Sequence, residues 1–121
     1  YLHLYKIKLP MKGTFLGEFE EVVLLATCIL KEEAYANTVR KTVEDHTQRS
    51  INLSAIHSAL YRMEKKGFLS STFGEASNKR GGKRKRIFIP TPAARKALEQ
   101  IKDIRASFWD IMPTFAEEGT V

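Results

Sequence analysis

Apolar residues recur along this chain in blocks whose spacing changes from helical to strand-like and back. From Phe15 they fall at 15, 19, 22, 26 and 29, with a second stripe through Leu16, Val23 and Leu30. Steps of three and four residues predict a helix from about Phe15 to Lys31, apolar over most of its circumference. Such a helix needs cover on more than one side, from its own domain and from another subunit. Tyr35, Val39, Val43 and His46 predict a second helix from Ala34 to about Thr47, after which Gln48-Arg49 connects to a short strand at Ser50-Ile51.

Asn52 is a good N-cap, because its side chain can accept the free N–H groups of the following turn. The helix it opens carries Ile56, Ala59, Leu60 and Met63 on one face, and Ser54, His57, Ser58, Tyr61, Arg62 and Lys65 on the other. Gly67 after Lys65-Lys66 signals its end, with positive charge at the negative pole of the helix dipole. Phe68 to Phe73 and Ile87-Phe88-Ile89 are β-type runs around a polar, glycine-containing stretch, which predicts a hairpin. Pro90 ends the second run, and Thr91-Pro92 is an N-cap followed by proline at the first helical position. The last helix repeats apolar residues at Ala97, Ile101, Ile104, Phe108, Ile111 and Phe115, a heptad seam widened by Leu98 and Met112. Pro113 should stop or kink it. A seam this long predicts packing on a partner chain.

Charge sharpens the picture. The 121 residues carry 20 Lys and Arg against 14 Asp and Glu, a formal net charge of +6. Lys79, Arg80, Lys83, Arg84, Lys85 and Arg86 account for six of the 20, which leaves 14 basic residues against 14 acidic ones. The whole excess therefore sits in one hairpin, and a localised anionic partner is implied. A phosphate-binding enzyme loop fails on spacing, because Ser77 stands where a P-loop needs glycine and Arg84 where it needs Ser or Thr. A free basic tail fails because Ile87-Phe88-Ile89 continues directly into a strand. His3, His46, His57 and the single Cys28 have no metal-ligand spacing, and no nucleophile–base pair can be assembled, so neither an enzyme nor a cofactor is expected. Cys28 reads as a small apolar filler, and one cysteine permits no internal disulfide, which predicts a reducing, cytoplasmic setting. Residues 1–14 read as an added or unstructured arm, with Met11 a candidate start.

The order helix, helix, short strand, capped helix, basic hairpin is that of a winged helix-turn-helix, in which the capped helix enters a DNA major groove and the wing follows the backbone. The fold class expected is mainly α with a small β-hairpin (α+β): a winged helix over 15–91 plus a C-terminal dimerisation helix over 92–121.

Several stretches carry a family likeness: LGEFEEVVLLA at 16–26, EAY at 33–35, LYRMEKKGFLSS at 60–71, and GE followed by KRGGKRKRIFIPTPAARKAL ending at 98. Together they make the chain resemble the PadR-like winged-helix transcriptional regulators over roughly residues 11–112. The resemblance implies a homodimeric bacterial regulator, usually a repressor, dimerised through its C-terminal helix and in some members released from DNA by a small, often aromatic, molecule. The chain departs from that pattern with His57 in place of a usual Tyr, and with Ala36 and Ala94 in place of common glycines. Pro113 and the end at Val121 predict one short dimerisation helix without a large effector-binding domain.

The residues expected to meet double-stranded DNA are Ser54, His57, Ser58, Tyr61, Arg62 and Lys65 on the capped helix, and Lys79, Arg80, Lys83, Arg84 and Arg86 in the wing of residues 74–86. Arg62 is a candidate reader of guanine or clamp on phosphate. Lys85 alternates onto the other hairpin face. The bland alternatives are a solvated helix face and a solubility loop. Phe19, Val23, Ile101, Ile104, Phe108, Ile111 and Phe115 are the expected dimer contacts, and Trp109 either packs on the partner or walls a cavity for an aromatic effector. Two rival functions stand: a wing that binds RNA or an acidic protein, and a small-molecule-sensing dimer with weak DNA binding.

Overall fold

The computed structural model describes residues 16–74 and 84–114. Helix α1 spans Glu18–Leu30 and a 3-10 turn follows at Lys31–Glu33; α2 is Ala36–Thr47 and α3 Leu53–Lys65; strands β1 and β2 are Leu69–Phe73 and Arg86–Pro90; α4 is Pro92–Ile111.

Each boundary has a local cause. The Gly17 N–H donates to Glu20 Oε1 at 3.3 Å, closing the first turn of α1. Gln48 ends α2 in the left-handed region at φ 58. The Asn52 side chain accepts from the Ser54 N–H at 2.8 Å, so the expected cap is formed. Gly67 stops α3 at φ +87, where a Cβ would be strained, and the Phe68 N–H reaches back to the Met63 carbonyl at 2.9 Å. Thr91 caps α4 through the Ala94 N–H at 3.3 Å, with Pro92 at the first helical position.

One apolar core joins all these elements. It includes Val23 and Leu24 of α1, Val39 and Val43 of α2, Ile56, Leu60 and Met63 of α3, Phe88 of β2, and Ala94, Ala97 and Ile101 of α4. The four residues expected on the inner face of the capped helix, Ile56, Ala59, Leu60 and Met63, are all buried.

β1 and β2 pair antiparallel with Phe73 opposite Arg86 and Ser71 opposite Phe88. The strand expected at Ser50-Ile51 does not form. The Ile51 N–H is instead taken by the Glu44 carboxylate at 2.7 Å, a side-chain acceptor that replaces a strand partner. A third backbone segment does meet the hairpin elsewhere: the Phe88 N–H donates to the Ala34 carbonyl at 2.8 Å, between α1 and α2. Three helices with a two-stranded wing packed on the last of them make a winged helix, extended by α4.

The heptad seam of α4 divides in two. Ala97 and Ile101 belong to the chain's own core, whereas Phe108 and Ile111 are 67% and 82% exposed. Regular helix stops at Ile111, two residues before Pro113.

Candidate nucleic-acid interface

The outer face of α3 carries Ser54, Ser58, Tyr61, Arg62 and Lys65 in exposed positions, with His57 half-buried beside them. Ser54 donates its hydroxyl to Asn52 Oδ1 at 2.8 Å. The His57 and Tyr61 rings stack with centroids 5.7 Å apart, one helical turn from each other. His57 Nδ1 is buried without a hydrogen-bond partner among the described residues.

Arg62 is more constrained than its position on that face suggests. Its Nε donates to Glu20 Oε2 at 3.0 Å, and Lys66 Nζ donates to Glu20 Oε1 at 3.1 Å. Burial by itself would push the Glu20 carboxyl up, but the hydrogen bonds from Arg62, Lys66 and the Gly17 N–H, with the charge of Lys66, outweigh it and hold the carboxyl below its ordinary range. The Arg62 side chain remains 53% exposed, so it stays within reach of a ligand while tethered at Nε.

The base of the hairpin lies against α3. Arg86 Nη2 donates to Glu64 Oε1 at 2.8 Å, and Arg86 Nε donates to Ser71 Oγ at 3.0 Å. Ser71 in turn donates to Glu64 Oε2 at 2.8 Å. The Arg86 guanidinium carbon stands 5.0 Å from the Tyr61 ring centroid, within cation–π range. Arg86 therefore faces α3 from the hairpin, with its side chain 38% exposed. The signal was available: residues two apart share a strand face, and Arg86 has the same parity as the fully buried Phe88.

Lys85 takes the opposite direction, as alternation requires. Its Nζ donates to the Tyr35 hydroxyl at 2.9 Å and lies 4.0 Å from that ring's centroid. Arg84 is exposed and donates from Nε to the Gly74 carbonyl at 3.1 Å, while the Gly74 N–H donates to the Lys85 carbonyl at 2.7 Å, so the hairpin stays closed at this level. Lys79, Arg80 and Lys83 lie outside the described residues.

The expected dimer contacts also separate. Val23 is fully buried inside its own domain and is corrected to a core residue, because its stripe faces α2 and α3 rather than solvent. Ile101 is likewise buried in the chain's own core, Phe19 and Ile104 are half-buried, and Phe108 and Ile111 are exposed. Phe115 lies outside the described residues. Trp109 is 64% exposed beside Phe108, and an apolar groove of about 250 Å³ runs under Ile104 and Phe108 toward Leu16.

Among the described residues, no group of three or more His, Cys, Asp and Glu side chains could hold a metal ion, and no helix is long and apolar enough to cross a membrane. Cys28 is half-buried; burial pushes its thiol up, against the opposing pull of Arg95, which leaves a less reactive side chain.

No family model matches the sequence, and no curated protein matches it. Solved structures do share its fold. A PadR-like transcription factor from Bacteroides fragilis superposes with a TM-score of 0.64 at 17% identity, over 87% of this chain and 93% of that one. A PadR family transcriptional regulator from Eggerthella lenta gives 0.60 at 21% identity, over 77% and 80%. A transcriptional regulator from Clostridium thermocellum gives 0.59 at 20% identity, over 79% and 93%. At these identities the likeness establishes the fold.

Proposed function

We propose that this chain is a sequence-specific, duplex-DNA-binding regulator of transcription of the PadR-like type, acting as a homodimeric repressor rather than as an enzyme. Helix α3 enters the major groove, and the basic wing of residues 74–86 follows the flanking phosphates or minor groove. The observation that carries this reading is the contact between the base of the basic hairpin and the exposed side of the capped helix, with Arg86 5.0 Å from the Tyr61 ring. That contact roots strand β2, which carries Arg86 and continues from the exposed Arg84, against the helix whose outer face carries Ser54, Ser58, Tyr61, Arg62 and Lys65. The fold shared with proteins described as transcriptional regulators supports the same reading. The exposed end of α4, with Phe108 and Ile111, supplies an apolar surface for a second copy. Two copies related by a two-fold axis read a palindromic operator with half-sites about 34 Å apart.

The test is a titration of duplex DNA at several salt concentrations. A dimer making roughly eight phosphate contacts gives a slope of log K on log [salt] near −7. A slope near zero, or equal binding of single-stranded RNA and duplex DNA, would overturn the proposal.

A further inference from the structure

We infer that Arg86 acts as a positioning residue for DNA recognition rather than as a phosphate contact: with Glu64 and Ser71 it fixes the angle between wing and recognition helix and holds Tyr61 and His57 in place to read bases. This rests on the DNA-binding reading above and specifies how one of its basic residues works.

The geometry is a closed ring of hydrogen bonds. Arg86 donates through Nε to Ser71 Oγ and through Nη2 to Glu64 Oε1, and Ser71 completes the circuit to Glu64 Oε2, at 3.0, 2.8 and 2.8 Å. Both carboxylate oxygens of Glu64 are thus used by the hairpin, one from each strand. The planar fork of an arginine is needed for this, since a lysine ammonium cannot bond two acceptors in a fixed plane while presenting a flat face to a ring. That face meets Tyr61, whose other neighbour in the row is His57, stacked at 5.7 Å. Guanidinium, phenol and imidazole form one column from β2 onto the outer face of α3. Rotation of the hairpin about its root would move Tyr61, and through it His57, relative to the helix axis. Charge alone would have placed Arg86 with the other wing cations; the ring gives it a different task.

The two roles make opposite predictions for charge. The wild-type chain and the variants Arg86→Lys, Arg86→Gln, Glu64→Gln and Ser71→Ala are titrated by fluorescence anisotropy with a duplex selected from a random pool, at several salt concentrations. Arg86→Lys keeps the charge but loses the fork, and its affinity should fall about tenfold per subunit, the size of one lost specific contact. Glu64→Gln removes a negative charge beside a polyanion, which by electrostatics alone would tighten binding; a loss of similar size is expected instead. Arg86→Gln should leave the salt slope at its wild-type value. Ser71→Ala should show a smaller loss of the same kind, and it serves in place of any variant whose melting point falls below the assay temperature.

If Arg86→Lys binds like the wild type while Arg86→Gln flattens the slope by about 2 for a dimer, Arg86 contacts phosphate and the inference is overturned. Tighter binding by Glu64→Gln would overturn it equally. A wild-type slope near zero would remove the DNA-binding reading, and the inference with it.

Discussion

The carboxylate of Glu20, on the first helix, accepts hydrogen bonds from Arg62 at 3.0 Å and from Lys66 at 3.1 Å, both at the end of the helix proposed to read DNA. Its side chain is only 9% exposed. A nearly buried carboxylate is costly unless it is paired and hydrogen-bonded, and here two cations and the Gly17 N–H meet it. The pairing explains how a charged residue sits in an apolar helix and ties the half-exposed Arg62 to the first helix.

Replacing Glu20 with Gln should therefore destabilise the fold. The variant keeps the shape but leaves Arg62 and Lys66 without a counter-charge, and Gln can accept at only one oxygen. Because Arg62 is half-exposed and regains water, the loss should be about 1 to 2 kcal/mol, below that of a fully buried pair. Urea denaturation followed by circular dichroism measures it. Stability equal to wild type would mean that the bridge contributes nothing to the folded state.

The same residue predicts a pH dependence. The folded-state carboxyl titrates below its ordinary value of 4.5, so between the two values the unfolded chain binds more protons than the folded one. Its contribution is full above the ordinary value and is lost as pH falls through the folded one. Glu20→Gln should therefore differ from wild type most at neutral pH, and the gap should close on acidification through that window. Denaturation at several pH values on either side of 4.5 would test this, and a gap independent of pH would contradict it.

How much of this was legible in the sequence depends on the range of the interaction. Helical and strand periods, the Asn52 and Thr91 caps and the Gly67 stop act within a few residues, and all of them form as expected. The strand at Ser50-Ile51 gives way because the competing acceptor, Glu44, lies seven residues away on α2, outside the local pattern. Glu20 was missed for a similar reason: its partners are 42 and 46 residues distant, and an acidic residue in the first turn of a helix has a sufficient local explanation. The ring that Arg86 makes with Glu64 and Ser71 is not legible either, because its partners lie 22 and 15 residues away on other elements. Val23 was assigned to a partner because periodicity identifies an apolar face without saying which neighbour covers it.

Gly67 offers a test of a purely backbone effect. It has φ +87, and none of the described residues lies within 4 Å of the Cβ it lacks. Gly67→Ala should therefore cost about 1 to 2 kcal/mol from the left-handed conformation alone, without steric repacking. Equilibrium unfolding should show a lower midpoint at an unchanged denaturant slope. A neutral effect would mean that the end of α3 adjusts freely.

The divided seam of α4 leads to the last prediction. Ala97 and Ile101 are consumed by the chain's own core, while Phe108 and Ile111 stay exposed within the same heptad pattern. A single chain has no reason to sustain that pattern beyond the point where its core ends, and apolar surface of this kind marks an interaction site. If a second copy covers it, Phe108→Asp with Ile111→Asp should shift the protein from dimer to monomer in sedimentation at micromolar concentration. The far-ultraviolet circular dichroism should stay close to wild type, because neither side chain is part of the buried core. Affinity for a full palindrome should drop toward that for a single half-site, since the two recognition helices would no longer be linked. Sedimentation as a dimer with both aspartates in place would mean that the surface contacting the partner lies elsewhere on the molecule.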